Sequence, residues 1–266
     1  MPAATAPRTA AIRRLLPNPP PWVAMYHSIA DAPDDPYRVT VSPVRFARQL
    51  RWLDDRGLRG VSVRELLAAT AAGRAKGLVG LTFDDGYADF VESAVPLLRR
   101  HRFTATVYVL PGRLGGENGW DAEGPRKPLL TEDGIRRAAE AGMEIGSHGL
   151  RHVSLTTADD RTLAEETRHS RERVEEITGT PVEGFCYPYG RVDARVVRAV
   201  REAGYRYACA IDPGPLSSTH ALPRVHIGEQ DTSWRLAAKR VLHPLRRRGP
   251  ADPPRPLVRP TEAGVR

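Results

Sequence analysis

A chain of 266 residues that is 41% hydrophobic can bury an enzyme-sized core, which excludes a disordered or fibrous protein. The net charge of +8 invites a nucleic-acid partner, but its placement argues against one. From Arg235 onward nine Lys and Arg face only Asp252 and Glu262, and residues 1–21 add Arg8, Arg13 and Arg14, so the rest carries about −2.

Residues 1–21, rich in Pro and Ala, read as a disordered arm. Arg13 and Arg14 interrupt the apolar run that a secretory leader needs, and no stretch approaches the ~20 apolar residues of a membrane span. The expectation is a cytoplasmic protein. "WVAMYHSI" then reads as a strand ending at His27. Ser42 and Pro43 open a helix that puts Phe46, Leu50 and Leu53 on one face. Ser62 caps the next helix, with Glu65 completing a capping box and Gly73 stopping it.

Strand and helix patterns alternate from there. "LVGLTF" is a strand, followed by a helix over 87–101 containing Pro96. "TATVYVL" is a strand, followed by a helix over 131–141 capped by Thr131. "MEIGS" precedes a long charged helix over 159–178 that ends at Gly179. "VEGFCYP" precedes a helix over 193–203, and "YRYACAI" and "LPRVHI" close the series. Cys186 and Cys209 fall in these runs and read as buried free thiols. His101, His169, His220 and His243 read as surface residues. Strands that are apolar throughout, separated by amphipathic helices, indicate a parallel sheet covered on both faces. Seven or so such units point to a barrel, whose functional residues gather at the C-terminal ends of its strands.

Four strand ends are polar. They carry His27, the pair Asp84 and Asp85, His148 and His152 in "GSHGLRH", and "YPYGR". Two histidines four apart with a carboxylate from another strand make a plausible facial triad, leaving room for water and substrate. Imidazole and carboxylate donors suit zinc, with other first-row metals as competitors. Trp120, on a Gly-rich loop, is placed either against a sugar face or over the barrel rim.

"TFDDG", "GSHGLRH" and "FCYPYG" resemble, in order and spacing, the first three motifs of the polysaccharide deacetylases (carbohydrate esterase family 4, the NodB-homology domain). The likeness spans roughly residues 22–228, within a domain placed over 22–230. It implies a deformed (β/α)7-type barrel and metal-dependent hydrolysis of an N-acetyl group on a hexosamine, with a carbohydrate as partner. By that resemblance Asp85, His148 and His152 hold the metal and Asp84 is the general base. The backbone N–H of Tyr189 would donate to the oxyanion, and Tyr187 and Pro188 would border the substrate.

The chain also departs from the common pattern. Where many members carry an Arg that orients the base, this one has Cys186, and Arg224 in "LPRV" is the candidate to take that role. The usual fourth motif is not recognisable in "AIDPGPLSSTHALP", and "RVHI" with His226 is a loose match to the fifth. "MYHSI" is instead similar to the poly-N-acetylglucosamine de-N-acetylase subgroup, which places the catalytic acid early. His27 is therefore the expected acid, across the substrate amide from Asp84, with His226 as the alternative. Two other readings stay open: an amidohydrolase of the same fold acting on a non-sugar amide, and a sugar-binding domain without catalysis.

The C-terminal part reads as a basic amphipathic helix over 231–248, capped by Asp231 or Thr232, and a disordered tail over 249–266. Trp234, Ala238, Val241 and Leu245 share one face. That face either packs on the barrel or rests, with its arginines, on an anionic membrane.

Overall fold

The computed structural model describes residues 21–32 and 34–243. The arm expected over 1–21, apart from Pro21, lies outside the described residues, as do positions 244–248 of the C-terminal helix and the tail over 249–266. Among the described residues, no helix is long and apolar enough to cross a membrane.

The sheet is built from β1 (Val23–Tyr26), β4 (Arg59–Val61), β5 (Leu78–Phe83), β6 (Thr106–Val109), β7 (Glu144–Ser147), β8 (Gly184–Cys186), β9 (Tyr207–Cys209) and β10 (Val225–His226). A separate short pair joins β2 (Ser28–Ile29) to β3 (Thr40–Val41). Seven strands follow one another in the order β10-β1-β5-β6-β7-β8-β9, all parallel, while β4 pairs with the first half of β5. The sheet curls, and an isolated bridge joins Cys209 of β9 to Leu222, just ahead of β10. This is the expected deformed (β/α) barrel. Its interior is filled partly by Tyr108 and Tyr207, which pass over Gly146 and Gly184. A Cβ at those glycines would lie 2.5 Å and 2.2 Å from the tyrosine rings and hydroxyl, so only glycine admits both aromatics.

The outer layer begins with α1 (Pro43–Asp54), which buries Phe46, Gln49, Leu50, Trp52 and Leu53. The Ser42 hydroxyl caps it by accepting from Arg45 N–H. In α2 (Val63–Ala71) the Ser62 hydroxyl accepts from Glu65 N–H. The expected return bond is absent, because Ser62 N–H donates to Thr104 while Glu65 pairs with Arg59 and Thr104. A neighbouring loop has taken over half of the capping box.

The helix expected over 87–101 starts later, as a wide π turn at Phe90–Ala94 followed by α3 (Val95–Arg100). Pro96 has no N–H to continue an α ladder, so the wide turn precedes it. After α4 (Glu132–Glu140) comes the helix expected over 159–178. It is interrupted: α5 (Asp160–Ala164) passes through a π turn at Glu165–His169 into α6 (Ser170–Thr178), ended by left-handed Gly179. The extra residue in that turn swings Glu166 and Thr167 inward, where both are buried.

Two helices remain, α7 (Ala194–Glu202) and α8 (Ser233–Leu242). The face of α8 that packs is not the expected stripe. Leu236 is buried, Lys239 donates to Asp231 and to His226 O, and Trp234 and Val241 face solvent. His243, expected at the surface, is buried against Pro21 O, because α8 runs down the barrel to the start of β1.

Candidate metal and catalytic site

Parallel register aligns the strand ends. Tyr26 is opposite Phe83, so His27 and Asp84 leave adjacent strands at the same height. Ser147 is opposite Val109 and Phe185, which sets His148 level with Cys186. The chain then turns sharply at each end. Five non-glycine residues among those described have positive φ, and three of them are Asp85 (70°), His152 (66°) and Tyr189 (59°). Such conformations cost of order 1–3 kcal/mol each and persist where the surroundings impose them. At Asp85 the turn sends two neighbouring carboxylates in different directions, which an extended strand could also do but not with both at one centre.

Asp85 Oδ1 lies 3.2 Å from His148 Nε2 and 3.3 Å from His152 Nε2. All three residues are buried, and their ligand atoms lie within 4.8 Å of one another. Oδ1 has no hydrogen-bond partner in this arrangement. His148 Nδ1–H donates to Cys186 O at 2.8 Å, since a carbonyl can only accept, so Nε2 faces Asp85 and offers a lone pair whenever the ring is neutral. An orphaned carboxylate oxygen and an oriented imidazole lone pair fit a divalent cation. Burial works against charge on Asp85, yet the imidazoles of His152 and His148 hold its carboxyl well below the usual range. Burial likewise opposes protonation of His148, but Asp85 and Asp84 raise its basicity, so the pocket favours positive charge.

Asp84 is only 3% exposed and is gripped by the equally buried Arg224. Arg224 Nη1 donates to Oδ1 at 2.6 Å and Nη2 to Oδ2 at 2.7 Å, a two-pronged pair that fixes the carboxylate plane. The same guanidinium donates to Thr82, to Ala210 O and to Cys186 Sγ. Burial would raise the Asp84 pKa, and the Arg224 charge and hydrogen bonds overcome this and lower it. Arg224, immediately ahead of β10, thus reaches the space beside the small Cys186 of β8.

His27 Nε2 stands 3.9 Å from Asp84 Oδ2, so the two groups are neighbours on one wall of the site and not on opposite sides of a substrate amide as expected, because Tyr26 and Phe83 end adjacent strands at the same height. The His226 ring lies behind His27, with centroids 6.1 Å apart. Burial, together with the charges of His27 and Lys239, pushes the His226 pKa down to about 4. Trp120 stacks on His152, with centroids 4.5 Å apart at 27°. Tyr189 meets the same imidazole edge-on and its own side chain is exposed. Tyr187 is a correction: its ring is fully buried against Phe185 and its hydroxyl donates to His220 O at 2.6 Å, which leaves nothing of that side chain for a substrate. Pro188, also expected to border the substrate, is likewise buried, beside Gly149.

Two residues at the site escaped the sequence reading. Glu166 accepts from the N–H groups of Leu150 and Arg151 and from the Arg151 side chain, and so pins the loop between the two histidines. It reaches that loop only because of the π turn, which its charged helix does not announce. Asp121 follows Trp120 and contacts Tyr87 and Asn118. Burial and the charge of Asp85 raise its pKa. Its position next to Trp120 on a Gly-rich loop was the available signal.

Comparison with known proteins gives the same result from another direction. The polysaccharide deacetylase profile matches residues 71–208, more than half of the chain. A Staphylococcus aureus protein named poly-beta-1,6-N-acetyl-D-glucosamine N-deacetylase is 22% identical over 203 residues, spanning 71% of this chain and 68% of that one. The crystal structure of a polysaccharide deacetylase from Bacillus cereus superposes with a TM-score of 0.69 at 26% identity, covering 83% of this chain and 68% of that one. The Streptococcus pyogenes deacetylase PplD, solved with acetate, gives 0.71 at 23% identity, covering 83% and 98%. With the motifs, the curled barrel and the profile all in agreement, this chain belongs to the polysaccharide deacetylase family.

Proposed function

We propose that this protein is a metal-dependent hydrolase that removes the N-acetyl group from an N-acetylhexosamine in a glycan or glycoside, releasing acetate. One observation carries the reading: three converging donors, Asp85, His148 and His152, beside a separate carboxylate, Asp84, that is held by Arg224. Binding alone would not need the second carboxylate. The donor set of two imidazoles and one carboxylate favours zinc.

A divalent cation in that triad would polarise the acetyl carbonyl and acidify a water. Asp84 accepts the proton from the attacking water. Arg224 keeps Asp84 ionised and aimed, because a guanidinium at hydrogen-bond distance favours the charged form. The left-handed turn at Tyr189 offers its backbone N–H to the developing oxyanion. His27 gives a proton to the departing amine. His226 is neutral at pH 7 with its pKa near 4, so it has no readily transferred proton and serves better as a wall for His27. Trp120 and Tyr189 flank His152 and frame the entrance with aromatic surface suited to a sugar face.

The Staphylococcus relative's name makes an N-acetylglucosamine polymer the first substrate to try. Acetate release from N-acetylglucosamine oligomers should be abolished by a chelator and restored by zinc. Release unaffected by chelation would remove the metal from the reading. Acetate from small N-acetyl amides but not from any amino sugar would favour a non-sugar amidohydrolase.

A further inference from the structure

Six large hydrophobic side chains are exposed among the described residues. Tyr37 and Tyr189 belong to the barrel mouth and its loops. The other four, Val44, Trp234, Val241 and Leu242, lie on α1 and α8, with Trp234 at 69% and Val44 at 63% exposure. These two helices are neighbours. They flank a furrow of about 280 Å³ lined by Arg45, Arg48, Arg51 and Arg56 on the α1 side and floored by Trp52 and Leu236.

Helical spacing arranges the outward residues. On α1, Val44, Arg48 and Arg51 fall at i, i+4 and i+7, opposite the buried stripe of Phe46, Leu50 and Leu53. On α8, Trp234, Ala238 and Val241 follow the same spacing, opposite buried Leu236. The acidic groups nearby are Asp55 and Asp231, which line the furrow, Asp54, which pairs with His101, and Glu229. Asp231 is committed to Lys239 and to Gly228 N–H, and Glu229 to Ser42 and Arg45. Arg235 lies over the Trp234 ring. The surface is therefore cationic with exposed apolar and indole groups, the combination that suits the interface of an anionic bilayer. A nucleic acid or other soluble polyanion would use the arginines and leave Trp234, Val241 and Leu242 without a role.

We propose that the outer faces of α1 and α8 together form a docking surface for an anionic phospholipid bilayer, with Trp234 and Val44 at headgroup depth and Arg48 and Arg51 against lipid phosphates. The upper end of this face borders the groove containing Ser42, Glu229 and His226, so docking would bring the barrel mouth beside the membrane. This surface is independent of the deacetylase reading.

The full chain should sediment with phosphatidylcholine vesicles containing phosphatidylglycerol and be released by salt. Binding to phosphatidylcholine alone, or by R48E/R51E, should be at least about tenfold weaker, since each cation near such a surface contributes substantially. Indole emission should shift to the blue on binding in the parent and not in W234S. Unchanged unfolding midpoints establish that both variants are folded. Equal binding to neutral vesicles overturns the proposal, as does full binding by R48E/R51E combined with W234S. So would loss of binding in R246E/R247E/R248E with R48E/R51E unaffected, which would give the contact to the tail alone. Heparin binding as tight as vesicle binding, with no dependence on Trp234, would make the face a general polyanion site.

Discussion

The two ends of the barrel both bury a carboxylate, and they treat it differently. At the lower end Glu144 opens β7 and is fully satisfied. Its Oε2 accepts from Thr106 at 2.7 Å and from Arg64 N–H at 3.0 Å, and its Oε1 accepts from Tyr207 at 2.8 Å. At the upper end Asp85 keeps Oδ1 without a hydrogen bond while two imidazole nitrogens point at it. Buried polar groups are normally paired, and an unpaired carboxylate oxygen facing two imidazole nitrogens suits a cation, as the proposed function has it. The lower carboxylate ties strands and a helix start together. The upper one is a donor in the proposed cation site, and its neighbour Asp84 is held ionised by a guanidinium.

Substitution at the two ends should separate these roles. Asp84→Asn should lower turnover by roughly 10²–10⁴ while metal content stays near that of the parent. Measuring kcat alongside metal stoichiometry checks this, and loss of the metal together with activity would move Asp84 into the ligand set. Arg224→Ala strands a buried carboxylate and should destabilise the fold by about 3–5 kcal/mol, measured by urea unfolding. A small effect would mean that water reaches Asp84 freely. Glu144→Gln should cost about 1–3 kcal/mol by disturbing a satisfied network, with kcat unchanged in the folded protein. An activity loss at constant stability would couple the lower end to the chemistry.

How much of this contrast could be read from sequence differs between the ends. The strands were legible because both of their faces are buried and their residues are almost uniformly apolar. The triad was legible because a carboxylate and a four-residue histidine spacing sit at strand ends. Arg224 could be nominated because Cys186 left a vacancy in the motif, although only the curl of the sheet brings β10 round to it. Glu166 was not legible: a π turn shifts it by one position, and no local pattern distinguishes it from the other acids of its helix. His243 is buried where a surface position was expected, and Trp234 takes the exposed one of its two open placements, because the packed face of α8 is chosen by Lys239 and its buried partner Asp231 as well as by hydrophobicity. Glu144 was hidden for a related reason, since a charge at the start of an apolar run resembles a solvent-exposed strand end.

The smallest expected effect concerns the third histidine at the upper end. His226 has its pKa pushed from 6.5 down to about 4, with burial first and then the charges of His27 and Lys239 as causes, opposed by Asp231. A folded value below the unfolded one means that the unfolded chain binds the proton more readily between those two values. Stability therefore falls as pH drops from about 6.5 and stops falling, for this group, below about 4. Asp84 and Asp85, whose folded values are depressed, also lose their contribution on acidification, so the slope of the parent alone cannot identify His226. The difference between the parent and His226→Gln can, because the aspartates cancel. The variant should gain on the parent progressively from pH 7 toward pH 4 in urea midpoint, with a constant offset above pH 7. A difference that does not change with pH would mean that His226 is as readily protonated in the fold as in the open chain, and would return it to contention as the acid.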